Sequence, residues 1–216
     1  MSLVFNGKKV DIAGIASSSF LDDKKYAFTN KRDFTTRKVK PQSICLHTRM
    51  GVWPQILVNE TKDRRWDELG VKRASADERV ASWHISIDAD GSFVCHLDLV
   101  TIEAYHCSQV NPYSIGIEMY QEATLNTAVK ICDVICTFLS IPKQFPGSNS
   151  IMKEFARPDG KAHKTKKRAY MEGGLSGKEF FGVFGHRNAT RNRGKGDPGD
   201  LVFDKLTKFG FIRLDI

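Results

Sequence analysis

Long apolar runs are missing from this 216-residue chain. No stretch approaches the roughly eighteen consecutive apolar residues a membrane-spanning helix needs, so such a span is excluded. Cysteine is sparse. The five residues (Cys45, Cys95, Cys107, Cys132, Cys136) are odd in number and follow no framework spacing, which argues against a disulfide scaffold and for reduced thiols. The opening MSLVFNGKKVDIAG lacks a basic segment followed by an apolar core, so no secretory leader is expected and synthesis in the cytoplasm is. Internal repeats and low-complexity linkers are also lacking, and the length suits a single domain over residues 1–216.

Acidic residues fall short of basic ones. Lys and Arg number 33, Asp and Glu 25, and the formal net charge is +8. The excess is local: Lys143 to Lys195 holds 13 basic and 4 acidic residues, and the rest of the chain is close to neutral. A polyanionic partner is implied. A nucleic acid is not expected, because no nucleic-acid module is recognisable and no aromatics interleave the KTKKR cluster at Lys164–Arg168. Hydrophobic residues make up 41% and aromatics 10%, which excludes disorder as the general state.

The elements expected along the chain alternate between strand and helix. LVFNGKKVDI predicts a hairpin turning at Asn6-Gly7. SICLHT (Ser43–Thr48) predicts a buried strand ending in a histidine, and Ala74–Ala81 a short helix. WHISI and SFVCHL predict two strands joined by a turn over Asp88–Gly91. In SIGIEMY, Ile115, Ile117 and Met119 face one way and Gly116, Glu118 and Tyr120 the other. Ala123–Ser140 carries a helical period with Pro142 just beyond it, and Cys132 and Cys136, four apart, read as core thiols. Lys143–Phe180 is rich in Gly, Pro and Lys and reads as either a functional loop or a partly ordered basic insertion before the last strand, FGVFGH (Phe181–His186). A C-terminal helix from about Pro198 or Asp200 is expected to turn Leu201, Phe203 and Leu206 inward. The fold class is α/β, a mixed central sheet flanked by helices.

His47 and His186 end two predicted strands, and Asp197 follows across a basic, glycine-rich loop. Two imidazoles and a carboxylate suit zinc and leave a fourth position open, as a catalytic site requires. Spacing alone does not single this set out, because ligands so far apart can be chosen in almost any sequence.

Four segments in order carry a resemblance: ICLHT (Ile44–Thr48), SWHISIDADG (Ser82–Gly91), AYHCSQVNPYSIGIEM (Ala104–Met119), and GHRN followed by KGDPG (Gly185–Gly199). With these the chain resembles the zinc-dependent N-acetylmuramoyl-L-alanine amidases, a family that includes phage lysozyme-type amidases, peptidoglycan-recycling amidases and peptidoglycan-recognition proteins. The resemblance spans about residues 43–208, with the insertion at about 143–180 as an elaboration. It implies that His47, His186 and Asp197 hold Zn2+, that Glu118 is the catalytic base, and that Lys195 stands beside the substrate carbonyl. His106, with Trp83 and Asn111, would line the substrate site. Trp83 departs from a tyrosine that some members carry there, so any role of that tyrosine is absent here or taken by another group.

His84, His96 and Cys45 are read as structural, and His163 as solvated. The substrate implied is peptidoglycan, cut between N-acetylmuramic acid and L-alanine, with an anionic cell-wall polymer as partner for the basic insertion. A monomer is expected. Three readings stay open: a phage or prophage endolysin that reaches the wall once released, a cytoplasmic recycling amidase acting on anhydro-muropeptides, and a recognition protein that binds without cutting. The retained ligand set speaks against the last, and the basic insertion favours the first.

Overall fold

The Asn6-Gly7 pair turns the chain as expected. Strands β1 (Ser2–Phe5) and β2 (Lys8–Asp11) pair antiparallel, with φ of 49° at Asn6 and 74° at Gly7, the left-handed geometry that this dipeptide supplies. The computed structural model describes residues 2–28, 33–48, 81–88, 90–119, 124–147, 180–189 and 197–214. The helix expected at Ala74–Ala81 (save its last residue), residues 148–179 of the basic insertion with KTKKR and His163, and Lys195 lie outside them.

The further elements are β3 (Ser17–Ser19), β4 (Phe34–Thr36), β5 (Ser43–Thr48), β6 (Ile85–Ile87), β7 (Phe93–Cys95), β8 (Ile102–Ala104), β9 (Ser114–Met119), α1 (Leu125–Leu139), β10 (Gln144–Pro146), β11 (Gly182–Gly185), α2 (His186–Ala189), α3 (Asp200–Lys208) and β12 (Ile212–Leu214). Six of the strands form one mixed sheet in the order β11-β5-β9-β6-β7-β3. β11, β5, β9 and β6 run parallel, while β7 lies antiparallel to β6 and parallel to β3.

Period-two alternation sorts the central strands onto two faces. Ile44, Leu46, Ile115, Ile117, Met119 and Val183 join the main core, whereas Cys45 and Phe184 belong to a smaller cluster on the other side with Cys107, Val110 and Phe180. Each fully buried aliphatic chain on the main face is worth roughly 1.5–3 kcal/mol. A one-residue slip of β5 or β9 would swap its residues between the main core and the smaller cluster, so the alternation fixes the register.

Helix α1 covers the main face. Leu125, Ala128, Val129, Ile131, Cys132, Ile135, Cys136 and Leu139 are buried, the stripe a 3.6-residue period produces. The helix stops at Ser140, whose left-handed backbone (φ 58°) leaves both the Ser140 and Ile141 N–H groups donating to the Cys136 carbonyl.

In α3 the buried residues are Val202, Phe203 and Leu206, and Leu201 is 46% exposed, contrary to the expectation that it points inward. At about 100° per residue, the stripe 202/203/206 puts position 201 on the opposite side of the helix. His186 likewise does not end a strand. β11 closes at Gly185, and His186 is the first residue of α2. β6 and β7 are shorter than WHISI and SFVCHL suggest, and the Asp88 N–H to Ser92 carbonyl bond (2.9 Å) closes the turn between them.

Candidate functional site

Three neighbouring parallel strands, β11, β5 and β9, end side by side, and the carboxyl ends of parallel strands are where α/β sheets gather ligands. His186 follows β11, His47 is the penultimate residue of β5, and Glu118 stands beside His47 in the β5–β9 register. Asp197 is brought across the end of β5. Its Oδ1 accepts from the Thr48 N–H at 2.9 Å, and its carbonyl accepts from the Arg187 N–H at 2.8 Å. The following Pro198 packs on Gly185, where a Cβ would lie 2.4 Å from the proline Cδ. Only glycine at 185 leaves room for this crossing.

The result is a tight buried group. His47, His186 and Asp197 are 3%, 5% and 1% exposed, and each offers a ligand atom within 4.8 Å of the others. His47 Nδ1 and His186 Nδ1 are 2.9 Å apart, and His186 Nδ1 lies 3.4 Å from Asp197 Oδ2. The donors of a tetrahedral zinc site, at about 2.0–2.1 Å from the ion, stand roughly 3.3 Å from one another. The three residues fit zinc in donor type, convergence and spacing. Glu118, with its side chain 28% exposed, places Oε1 3.9 Å from His47 Nδ1, at the open side of the group.

The other nitrogen of His47, Nε2, faces His106 Nδ1 at 3.1 Å. The His106 ring is wedged against the bare backbone of Gly116. A Cβ there would come within 2.6, 2.7 and 2.9 Å of three of its ring atoms. Burial pulls His106 down to about 3, and nearby His186 and Arg37 act in the same direction. Cys45 and Cys107 sit behind the group. Burial pushes the Cys45 thiol well above its usual range. At Cys107 burial also acts upward, but the hydrogen bond with Cys45 and the His186 imidazole outweigh it and lower the thiol.

Asn111 lies beneath this side of the site. Its Oδ1 accepts from the His106 and Cys107 N–H groups at 3.1 and 2.6 Å, so it shapes the loop that carries His106. Trp83 stands apart from the ligand group. It packs with Phe28, Leu97 and Ala104, and its Nε1–H donates to Ser86 Oγ at 2.7 Å, Ser86 being the register neighbour of Glu118.

His84 and His96 are structural, as read from the sequence. His84 Nδ1 accepts from the Gly116 N–H at 3.0 Å, and His96 Nδ1 lies 2.7 Å from the Tyr26 carbonyl. Burial lowers both imidazoles, His96 to about 4.

Arg37 escaped the sequence reading, since nothing distinguishes it within the basic run RDFTTRKVK. It is buried, and its guanidinium donates to the carbonyls of Ile102, Pro112 and Ser114 at 3.0, 2.6 and 2.9 Å, which pins the segment leading into β9. Burial lowers it to about 10.

No protein-family model and no curated protein matches this chain. Among solved structures it is similar to the endolysin N-acetylmuramoyl-L-alanine amidase LysCS from Clostridium intestinale (12% identity, 94% of this chain and 98% of that one, TM-score 0.46). It is also similar to a selenomethionine derivative of AmpD (15% identity, 91% and 96%, TM-score 0.46). A third is the Drosophila peptidoglycan recognition protein SD (12% identity, 93% and 98%, TM-score 0.47).

Proposed function

We propose that this chain is a zinc-dependent N-acetylmuramoyl-L-alanine amidase, which hydrolyses the amide joining the lactyl group of N-acetylmuramic acid to L-alanine. The observation that carries the reading is the convergence of His47, His186 and Asp197, all buried, with Glu118 3.9 Å from His47 at their open side. Two imidazoles and one carboxylate converging at this spacing are the kind of donor set that zinc takes.

His47 Nδ1, His186 Nδ1 and Asp197 Oδ2 would hold the ion, and the Thr48 N–H bond to Asp197 Oδ1 orients the carboxylate. Bound there, zinc supplies a Lewis acid that brings the pKa of water towards about 7 and polarises the scissile carbonyl. Glu118 takes the proton of the attacking water and returns it to the departing alanine nitrogen. Lys195 supplies positive charge to the carbonyl oxygen as negative charge develops on it. The loop that carries His106 and is shaped by Asn111 is assigned to the near wall of the substrate cleft, and Trp83, which stands apart from the ligands, to its far end.

The basic balance between Lys143 and Lys195 favours a wall-facing lysin of phage or prophage origin, made in the cytoplasm and released to its substrate. A soluble fragment needs no long-range attraction to a polyanion. Digestion of purified sacculi and of soluble anhydro-muropeptides, followed by mass spectrometry and zinc analysis, tests both levels. The expected result is zinc-dependent release of L-alanine amino termini, faster from sacculi. Faster cleavage of the soluble fragments would identify a recycling enzyme. Muropeptide binding without zinc or cleavage would identify a recognition protein.

A further inference from the structure

His47 has two ring nitrogens, and a metal can use Nδ1 only if the proton sits on Nε2. The proton positions around it follow from one group whose role is unambiguous. The Val110 carbonyl can only accept, and Ser114 Oγ lies 2.8 Å from it, so the Ser114 hydroxyl proton is committed there. Ser114 Oγ therefore accepts from its other neighbour, His106 Nε2, at 3.3 Å. With its proton on Nε2, the neutral His106 ring presents a lone pair at Nδ1. That lone pair faces His47 Nε2 at 3.1 Å, so His47 donates from Nε2 and keeps Nδ1 free of hydrogen. Nδ1 is the atom that meets His186 Nδ1 and approaches Glu118.

We infer that His106 and Ser114 are positioning residues, forming a one-way hydrogen-bond relay, His47 to His106 to Ser114 to the Val110 carbonyl, that locks His47 in its metal-ready tautomer. The inference rests on the zinc reading of the site but concerns residues behind the ligands. The surroundings support the relay mechanically. Gly116 leaves room for the His106 ring to press against β9, and Asn111 Oδ1 accepts from the His106 N–H at 3.1 Å. The relay also engages a neighbouring donor set. Cys45, His47 and His106 offer ligand atoms within 4.8 Å of one another, and the His47–His106 hydrogen bond ties up one nitrogen of each ring. His106 thus selects the nitrogen with which His47 binds, as partners behind metal ligands do elsewhere.

The test combines imidazole 15N chemical shifts with zinc affinity measured by chelator competition, on the full chain. In the metal-free wild type, His47 and His106 should both carry hydrogen on Nε2. His106→Asn, whose Oδ1 can accept near the Nδ1 position, should stay close to wild-type zinc affinity. His106→Leu should lose roughly 10–100-fold, the range expected for lost partners of metal ligands. Ser114→Ala should give mixed His47 tautomers.

Hydrogen on His47 Nδ1 in the metal-free wild type would overturn the relay, as would His106→Leu binding zinc like wild type. The wild-type spectrum needs no variant to fold. A wild type that binds zinc yet cuts no peptidoglycan refutes the amidase reading and leaves the relay standing. A wild type that binds no zinc refutes the metal reading, and the metal-free tautomer then decides the relay alone.

Discussion

Adding one methyl group at Gly116 would separate a packed site from a loosely assembled one. An alanine Cβ there would sit 2.6–2.9 Å from Cγ, Cδ2 and Nδ1 of His106. Ordinary carbon contacts lie at about 3.5–4.0 Å, so the ring must retreat by roughly 1 Å. The clash involves atoms near the root of the side chain, and the adjacent backbone is held by Asn111, so rotation about the side chain gives little relief. A retreat of that size stretches the 3.1 Å contact with His47 beyond the roughly 3.5 Å at which a hydrogen bond is lost. Overpacking of this kind costs about 1–3 kcal/mol. For a chain of this length each kcal/mol lowers Tm by about 2–4 °C.

Gly116→Ala should therefore melt lower and bind zinc at least about tenfold more weakly. Calorimetry and chelator competition read the two effects. The penalty should vanish in a His106→Ala background, because the clashing ring is gone and the two changes couple. An unchanged Tm and zinc affinity in Gly116→Ala, or an equal penalty in both backgrounds, would refute the packing argument.

Glu118→Gln should keep zinc affinity and lower kcat by about 10²–10⁴-fold, the usual share of a general base; an equal fall in metal content would make Glu118 a ligand-side residue instead. Burial holds His96 at about 4 against an ordinary 6.5, so the unfolded chain takes up a proton that the native ring refuses. That contribution, about 3 kcal/mol, is fully present above pH 6.5 and lost as pH falls towards 4. In urea titrations His96→Asn should be less stable than wild type at pH 7.5, with the gap narrowing at pH 4.5; a constant gap would contradict the buried neutral imidazole. Neutralising Lys164, Lys166, Lys167 and Arg168 should slow digestion of sacculi at low salt and spare small muropeptides, whereas equal loss on both would tie the cluster to the fold or the site.

What the sequence determined by itself was local. Period-two alternation marked β5 and β9 and put Glu118 on the face opposite Ile115 and Ile117. Asn6-Gly7 set the first hairpin, and the 3.6-residue period with Pro142 marked α1. The motif order also identified His47, His186 and Asp197 as a set, though their spacing gave no reason for them to meet. The short strands β3, β4, β8, β10 and β12 were not legible, because each has only three residues and, unlike β6 and β7, no longer apolar run joined by a strong turn signal marks it. Leu201 was misread because two neighbouring apolar residues in a helix cannot both be assigned a side until the packing partner is known.

Only the tertiary structure decided that β11, β5 and β9 lie side by side, since parallel pairing joins residues far apart in the chain and leaves no periodic trace. That adjacency brings His186 to within 2.9 Å of His47 and sets Glu118 beside it. The placing of His106 was decided there too. Nothing in AYHCS says where its two nitrogens point, and only the tertiary structure packs its ring on Gly116, between His47 and Ser114.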